Sequence, residues 1–393
     1  MRSRRNRNDT VVRWGVIGLG LIGEQHAQRL QRIRGARLEA VCARSPSKAK
    51  IAARLGCRFF QDYRQLLAAG CDAVLIATPH PSHVSIARDA LRAGCHVLIE
   101  KPVAVEMWDA HALRAEADRH PDRKVGVMFQ MRTDERFLRL REWVQSGRLG
   151  RLQRITWIVT DWFRPNAYFA SASWRGTWQG EGGGLLVNQC PHQLDLLLCL
   201  AGMPARVTAR GGFGRWHPIE VEDDVVAILE YPSGLTCTFI ASTGEAPGMC
   251  RLEVAGTGGL AVWEGRKLSV TFNRVPSDRY SSETRELFGR PSTYSRTWSG
   301  ADDRIGSHEA VLHNFTEAVR HGRPLVATLE DGIREVELAS AILWALGSGK
   351  TIRLPLDASA AHRWYARWTS GDYRKRQPGR ATSESHTATE PRG

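Results

Sequence analysis

Six residues constrain this chain more than any others: Gly18-Leu19-Gly20-Leu21-Ile22-Gly23, directly behind the apolar run 11–17 (VVRWGVI) and ahead of the helix-compatible 24–33 (EQHAQRLQRI). A lone GxGxxG occurs by chance. Flanked in this way, with a second apolar run at 37–43 (RLEAVCA), it predicts a strand–turn–helix–strand unit. Gly18 permits the tight turn, Gly20 lets a ligand reach the backbone, and Gly23 allows close helix–strand packing. Amide groups at the start of such a helix, here around Leu21 and Ile22, lack partners within the helix and suit the two phosphates of a dinucleotide.

The alternation continues. Apolar runs at 72–79, 96–102 and 124–130 are separated by helix-like stretches at 63–70, 82–93 and 106–119. Short apolar strands alternating with helices of about ten residues imply a parallel sheet covered on both faces. At the end of the second strand, roughly 20 residues past the glycines, an NAD site usually carries Asp or Glu on the ribose. This chain has Cys42-Ala43-Arg44-Ser45 there, with Lys48 close behind. Arg44, Ser45 and Lys48 suit a 2′-phosphate, which favours NADP(H) over NAD(H). Thr78, Pro79, His80 and His83 follow a strand end and are expected to line the cofactor crevice.

Bulk properties narrow the class. The 393 residues suffice for about two domains. The net charge of +14 is concentrated partly in the tails, with four Arg in residues 2–7 and six Arg or Lys between 363 and 380. No basic groove interleaved with aromatics accompanies it, so a nucleic-acid function is not expected. Apolar runs fall short of the ~20 residues that span a bilayer, and a cytoplasmic location is the default expectation. Eight Cys form no CxxC pair. They read as reduced, packed thiols, and neither they nor the histidines offer a metal-ligand set.

Four segments together resemble one family: VIGLGLIGEQHA (16–27), DAVLIATPHPSHVSIARDALRAGCHVLIEKP (72–102), GGGLLVNQCPHQLDLL (182–197) and 308–356, which begins HEAVLHNF. They are similar to the glucose–fructose oxidoreductase, inositol dehydrogenase and rhizopine-catabolism (Gfo/Idh/MocA) superfamily, over nearly the whole chain except the tails. The resemblance implies an α/β protein: an N-terminal Rossmann domain and a C-terminal α/β domain with a large open, predominantly antiparallel sheet. The expected boundaries are a basic tail at 1–10, the dinucleotide-binding domain at 11–130, the substrate and oligomerisation domain at 131–357, and an extension at 358–393, mobile from about 365. A homodimer or homotetramer through the second sheet is implied as well.

The same resemblance points to the chemistry. Lys101, after an apolar strand and before Pro102, is the candidate to exchange a proton with a substrate hydroxyl, and Glu100 orients it or contacts the cofactor. Asn188 stands where relatives often have Asp, paired with a His four residues on. A carboxamide cannot act as a base but can orient a hydroxyl or the imidazole of His192. If 185–195 is one helix, Asn188 and His192 share a face, with Asp195 one turn beyond. The aromatic-rich 161–184 offers Tyr168 and Arg175 as sugar contacts, with Asp161 and His217 weaker candidates. The expected activity is hydride transfer between NAD(P) and a secondary alcohol or ketone carbon of a sugar, cyclitol or related polyol. A keto-sugar reductase, a glycoside-processing enzyme with tightly bound NAD, and a non-catalytic dinucleotide sensor remain alternatives.

Overall fold

The computed structural model describes residues 11–300 and 305–370. Six parallel strands form the first sheet: β1 (Val12–Ile17), β2 (Ala36–Cys42), β3 (Arg58–Phe60), β4 (Ala73–Ile76), β5 (His96–Ile99) and β6 (Val125–Val127). Their order is β3-β2-β1-β4-β5-β6, so the chain reverses direction across the sheet between β1 and β4. That reversal opens a crevice beyond the carboxyl ends of the strands, where doubly wound sheets bind ligands. All four residues of β4 are buried, as a central strand covered on both faces requires.

The second sheet has nine strands among the described residues: β7 (Leu152–Val159), β8 (Arg206–Phe213), β9 (Glu222–Glu230), β10 (Thr236–Ser242), β11 (Cys250–Gly256), β12 (Gly259–Glu264), β13 (Lys267–Asn273), β14 (Thr293–Ser299) and β15 (Ile352–Arg353). The order is β14-β13-β12-β11-β7-β10-β9-β8-β15, and of these neighbours only β7 and β10 run parallel. Burial alternates along β9, so one face meets the core while Val226 and Ile228 remain exposed on the other. The sequence pattern predicts strands near β7 to β12 but none at β13 or β14, whose Ser, Thr and charged residues weaken the apolar signal.

Two features depart from a linear division of the chain at residue 130. Helix His308–His321 packs on the first sheet, where Phe315 meets Trp14 with ring centroids 5.4 Å apart. Residues 327–328 then run beside β6: Val127 N donates to Ala327 O, and Gly126 bridges Thr328. From there the long helix Leu329–Ser348 starts at a capping box, with Thr328 Oγ1 accepting from Asp331 N and Asp331 accepting from Thr328 N.

The extension expected to be mobile from about 365 is helical through Thr369. Helix Ala358–Thr369 docks by Tyr365, whose hydroxyl donates to Gly182 O at 2.6 Å, and by His362, whose Nδ1 lies 2.8 Å from a Glu106 oxygen. The basic tail at 1–10 and residues 371–393 lie outside the described residues.

Candidate active site

The glycine turn divides its labour. Gly18 has φ +99°, and a Cβ there would lie 2.5 Å from Ala77 O, so the fold itself requires glycine. A Cβ on Gly23 would collide with Gly18 O. A Cβ on Gly20 would meet nothing within 4 Å, so no packing within the described residues demands glycine there. Helix Leu21–Leu30 starts beside it without a side-chain cap, leaving the amides of Leu21, Ile22 and Gly23 outside the helical ladder. This is a cradle that fits a pyrophosphate. Past β2, Arg44 and Ser45 are exposed and Lys48 is half-buried at a short 3-10 turn.

Beyond these strand ends lies a cavity of ≈ 610 Å³. Ile22, Thr78, His83, Glu100, Lys101, Tyr168, Asn188 and His192 line it, so the structure brings these sequence-predicted residues together. His80, Asp161, Trp162, Arg164, Gln130, Gln193 and His308 line it too. Arg175 does not, but Arg175 Nη1 donates to the Tyr168 hydroxyl at 2.6 Å. His217 lies elsewhere, in a buried pair with Asp223 at 3.0 Å.

Lys101 is placed by the end of β5. Its Nζ donates to the main-chain oxygen of Asn188 at 2.5 Å, a contact that ties the first sheet to the 182–195 segment. Burial pulls its proton affinity below the ordinary lysine value, while Glu100, Glu335, Cys190 and Glu181 push back. Glu100 accepts from His26 Nε2 at 2.6 Å, and Lys101 N donates to its other oxygen. Burial alone would raise the Glu100 pKa, but the His26 hydrogen bond and the nearby Lys101 charge outweigh it and keep the group a carboxylate. His26, Glu100 and His308 bring three potential ligand atoms within 4.8 Å. Ligands of one tetrahedral zinc stand about 3.3 Å apart given Zn–N bonds near 2 Å. The 2.6 Å separation between His26 and Glu100 is therefore that of a hydrogen bond.

The glycine-rich segment is not one helix. It forms Leu185–Asn188, a break at Gln189-Cys190, and Pro191–Ala201 with proline in the first turn. Asn188 and His192 consequently part company. Asn188 Nδ2 donates to Glu181 Oε1 at 2.7 Å, whereas His192 Nε2 meets Gln130 Nε2 at 3.1 Å. The expectation that Asn188 orients the imidazole is replaced by orientation from Gln130. Burial, reinforced by Lys101, lowers the His192 pKa to about 3. The ring is neutral at pH 7, because charging it would place a second cation beside the lysine, and its Nε2 accepts from Gln130.

His83 lines the cavity, and its ring nitrogens lie 2.8 Å from the oxygens of Pro102 and Thr78, so it also braces the Lys101–Pro102 turn. Asp195 is bound by Arg132 through two hydrogen bonds, at 2.8 and 2.6 Å. Trp178 is buried among Phe213 and Tyr365 and belongs to the packing of the C-terminal helix. Sequence reasoning misses Gln130, Glu181, His26 and Arg164. Only Arg164 carries a local signal, through its place in the aromatic-rich loop.

A dinucleotide cradle joined to a polar cavity lined by a half-buried lysine defines a nicotinamide-type oxidoreductase. Family models match accordingly: residues 12–129 the oxidoreductase family NAD-binding Rossmann fold, and 137–262 the GFO/IDH/MocA C-terminal domain. The chain belongs to the Gfo/Idh/MocA oxidoreductase family. It is 26% identical over 357 residues to the inositol 2-dehydrogenase of Rhizobium meliloti (strain 1021), covering 87% of this chain and 99% of that protein. It is 25% identical over 294 residues to an NADP(+)-linked scyllo-inositol 2-dehydrogenase of Bacillus subtilis (strain 168), covering 72% and 79%. Among solved structures, the WlbA dehydrogenase of Bordetella pertussis, in complex with NADH and UDP-GlcNAcA, superposes with a TM-score of 0.74 at 26% identity, covering 88% of this chain and all of that one.

Proposed function

We propose that this oxidoreductase moves a hydride between a nicotinamide dinucleotide and a carbon bearing a secondary alcohol or ketone in a sugar, cyclitol or related polyol. One observation carries the substrate class. Around Lys101, the cavity-lining residues Gln130, His192, Gln193 and Arg164 each hold a buried polar atom with no hydrogen-bond partner among the described residues (Oε1, Nδ1, Oε1 and Nε). Buried polar groups are rarely left unpaired, and a ligand rich in hydroxyls satisfies both donors and acceptors. The inositol-oxidising relatives agree with such a ligand.

The amides of residues 21–23 would hold the pyrophosphate, and Thr78 and Glu100 would flank the nicotinamide end. When bound, that group accepts or returns the hydride. Lys101 takes the hydroxyl proton during oxidation and returns it during reduction. His192 and Asn188 orient the alcohol, while Trp162 and Tyr168 offer ring faces to the carbon skeleton. Arg44, Ser45 and Lys48 favour NADP(H), since none can repel a 2′-phosphate. The exposed sheet face around Val226, Ile228 and Leu260 supports a homodimer or homotetramer.

The test is a panel of sugars, inositols and anhydrosugars incubated with NAD or NADP and followed at 340 nm. At least one polyol should reduce the cofactor, more readily with NADP. Binding of both dinucleotides without turnover of any panel member, or of the matching ketones with reduced cofactor, would contradict the reading.

A further inference from the structure

Two guanidinium groups crowd the ring of Tyr168. The central carbon of Arg164 lies 4.9 Å from the ring centroid and that of Arg175 lies 4.3 Å from it. Arg164 also lies 5.1 Å from the Trp162 ring, and Arg175 lies 4.5 Å from the Trp174 ring. Aromatic faces offset part of a cation's loss of water, but they give no acceptor to the N–H groups at its edge. Arg175 Nη1 donates to the Tyr168 hydroxyl, and Arg164 Nη1 donates to the main-chain oxygen of Phe163 at 3.2 Å. The Nε of each is buried and unpaired among the described residues, and neither arginine forms an ion pair there.

Arg164 is the member of the pair that lines the cavity, together with Trp162, Tyr168 and Lys101. With Nη1 occupied, its Nε–Nη2 edge makes no hydrogen bond to any described residue. Elsewhere in the molecule this is the edge that grips carboxylates. Arg132 holds Asp195 through Nε and Nη2, and Arg136 holds Asp134 in the same way. The carboxylates lining the cavity leave the Arg164 edge open. Glu100 is bonded to His26, and Asp161, three residues before Arg164, makes no ion pair with it among the described residues. The main chain carrying the open edge is fixed, since Arg164 N donates to Thr243 O at 2.9 Å and Thr160 N to Met249 O at 2.8 Å.

We propose that Arg164 is a specificity-determining residue that binds an oxyanion on the substrate, so the polyol accepted here carries a carboxylate or phosphate. This rests on the reading of the cavity as the polyol pocket. A hydroxyl would satisfy the Nε–H alone. A carboxylate or phosphate accepts from Nε and Nη2 together and also balances the charge. Arg175, outside the cavity lining, holds the Tyr168 hydroxyl and adds a second positive charge beside the ring on which Arg164 stacks.

The test compares matched partners: glucose with glucuronate and glucose 6-phosphate, and myo-inositol with myo-inositol 1-phosphate. Turnover is followed at 340 nm with NAD or NADP, and binding to the cofactor-loaded full chain by calorimetry. At least one acidic partner should exceed its neutral counterpart by roughly ten- to a hundredfold in kcat/KM, or in affinity where neither turns over, the scale of a hydrogen bond to a charged group. The better of glucuronate and glucose 6-phosphate tells carboxylate from phosphate. Arg164→Gln should bring the ratio close to unity, and Arg164→Lys, which keeps the charge but loses the fork, should retain only part of it. A guanidinium that merely stacks on its neighbours predicts equal partners. Acidic partners that do no better than neutral ones, or a preference that Arg164→Gln leaves intact, overturn the inference, and turnover of the neutral polyols would then leave the hydride-transfer reading standing. An acidic preference in binding that Arg164→Gln abolishes, with no turnover of any partner, supports the inference and sinks that reading.

Discussion

The wall of the cavity built from the first sheet and the wall built from residues 130 and 161–193 are completed differently. On the first, His83 is held between the carbonyl oxygens of Thr78 and Pro102 and can donate to one of them, and Glu100 is held by His26 and by a main-chain amide. On the second, Gln130, His192, Gln193 and Arg164 each leave a buried polar atom unpaired among the described residues. A wall satisfied by its own chain is a scaffold, ready before any ligand arrives. A wall with open donors and acceptors is where binding energy and specificity are gained. Lys101 stands at the seam, carried by the first sheet and bonded to Asn188 of the second wall.

The largest effect should come from that seam. Lys101→Ala should lower kcat by about a hundredfold or more, the scale of a lost acid–base group, while dinucleotide affinity measured by fluorescence titration stays unchanged. Equal loss of cofactor affinity would place Lys101 in the scaffold. Next, His192→Ala should cost roughly tenfold in kcat/KM, as expected for one hydrogen bond strengthened in the transition state. Its pH dependence between 5 and 8 should match the parent, because the imidazole, held near pKa 3, does not titrate there. A vanished limb would make His192 a proton carrier after all.

Asn188→Asp probes the seam from the other side. It places a second carboxyl where Nδ2 now sits 2.7 Å from Glu181, whose pKa burial already raises. Two buried carboxyls at that distance must share a proton, so the folded pKa of the pair rises above the unfolded value. Stability is then retained below about pH 4 and lost as pH climbs, by about 1.4 kcal/mol for each pH unit that separates the folded value from the unfolded one. Thermal melts at pH 5 and pH 8 should diverge more than for the parent; parallel melts would contradict the pairing. The smallest effect belongs to the C-terminal helix. Tyr365→Phe removes the hydrogen bond to Gly182 O and should cost about 1 kcal/mol in stability, read by urea unfolding, with turnover falling more than cofactor affinity.

The scaffold wall is largely legible in sequence, because its signals are local. Strand period, glycine spacing and the Lys-Pro after β5 lie within contiguous stretches and report directly on backbone geometry. The open wall is only half legible. Gln130 and His192 are 62 residues apart, and Gln130 sits in a 3-10 turn that no periodicity announces. Glu181 reads as an ordinary polar residue in a glycine-rich loop until a short helix buries it against Asn188. Glu335 gives no local sign of its burial, which comes with the buried face it shares on the long helix with Gly332 and Ala339. The C-terminal helix escapes the sequence for the same reason: its tryptophans pack on residues distant in the chain, Trp368 against Trp178 and Phe213, and Trp364 against Trp344.

The division between a finished wall and an open one is tested most directly by a crystal structure with reduced cofactor and a polyol turned over in the panel. The Lys101 amine should lie about 2.6–3.2 Å from the hydroxyl on the carbon facing the nicotinamide, with Gln130, His192 and Gln193 bonded to other hydroxyls. A polyol bound with that hydroxyl well beyond about 4 Å from Lys101, and those three groups still unpaired, would contradict it.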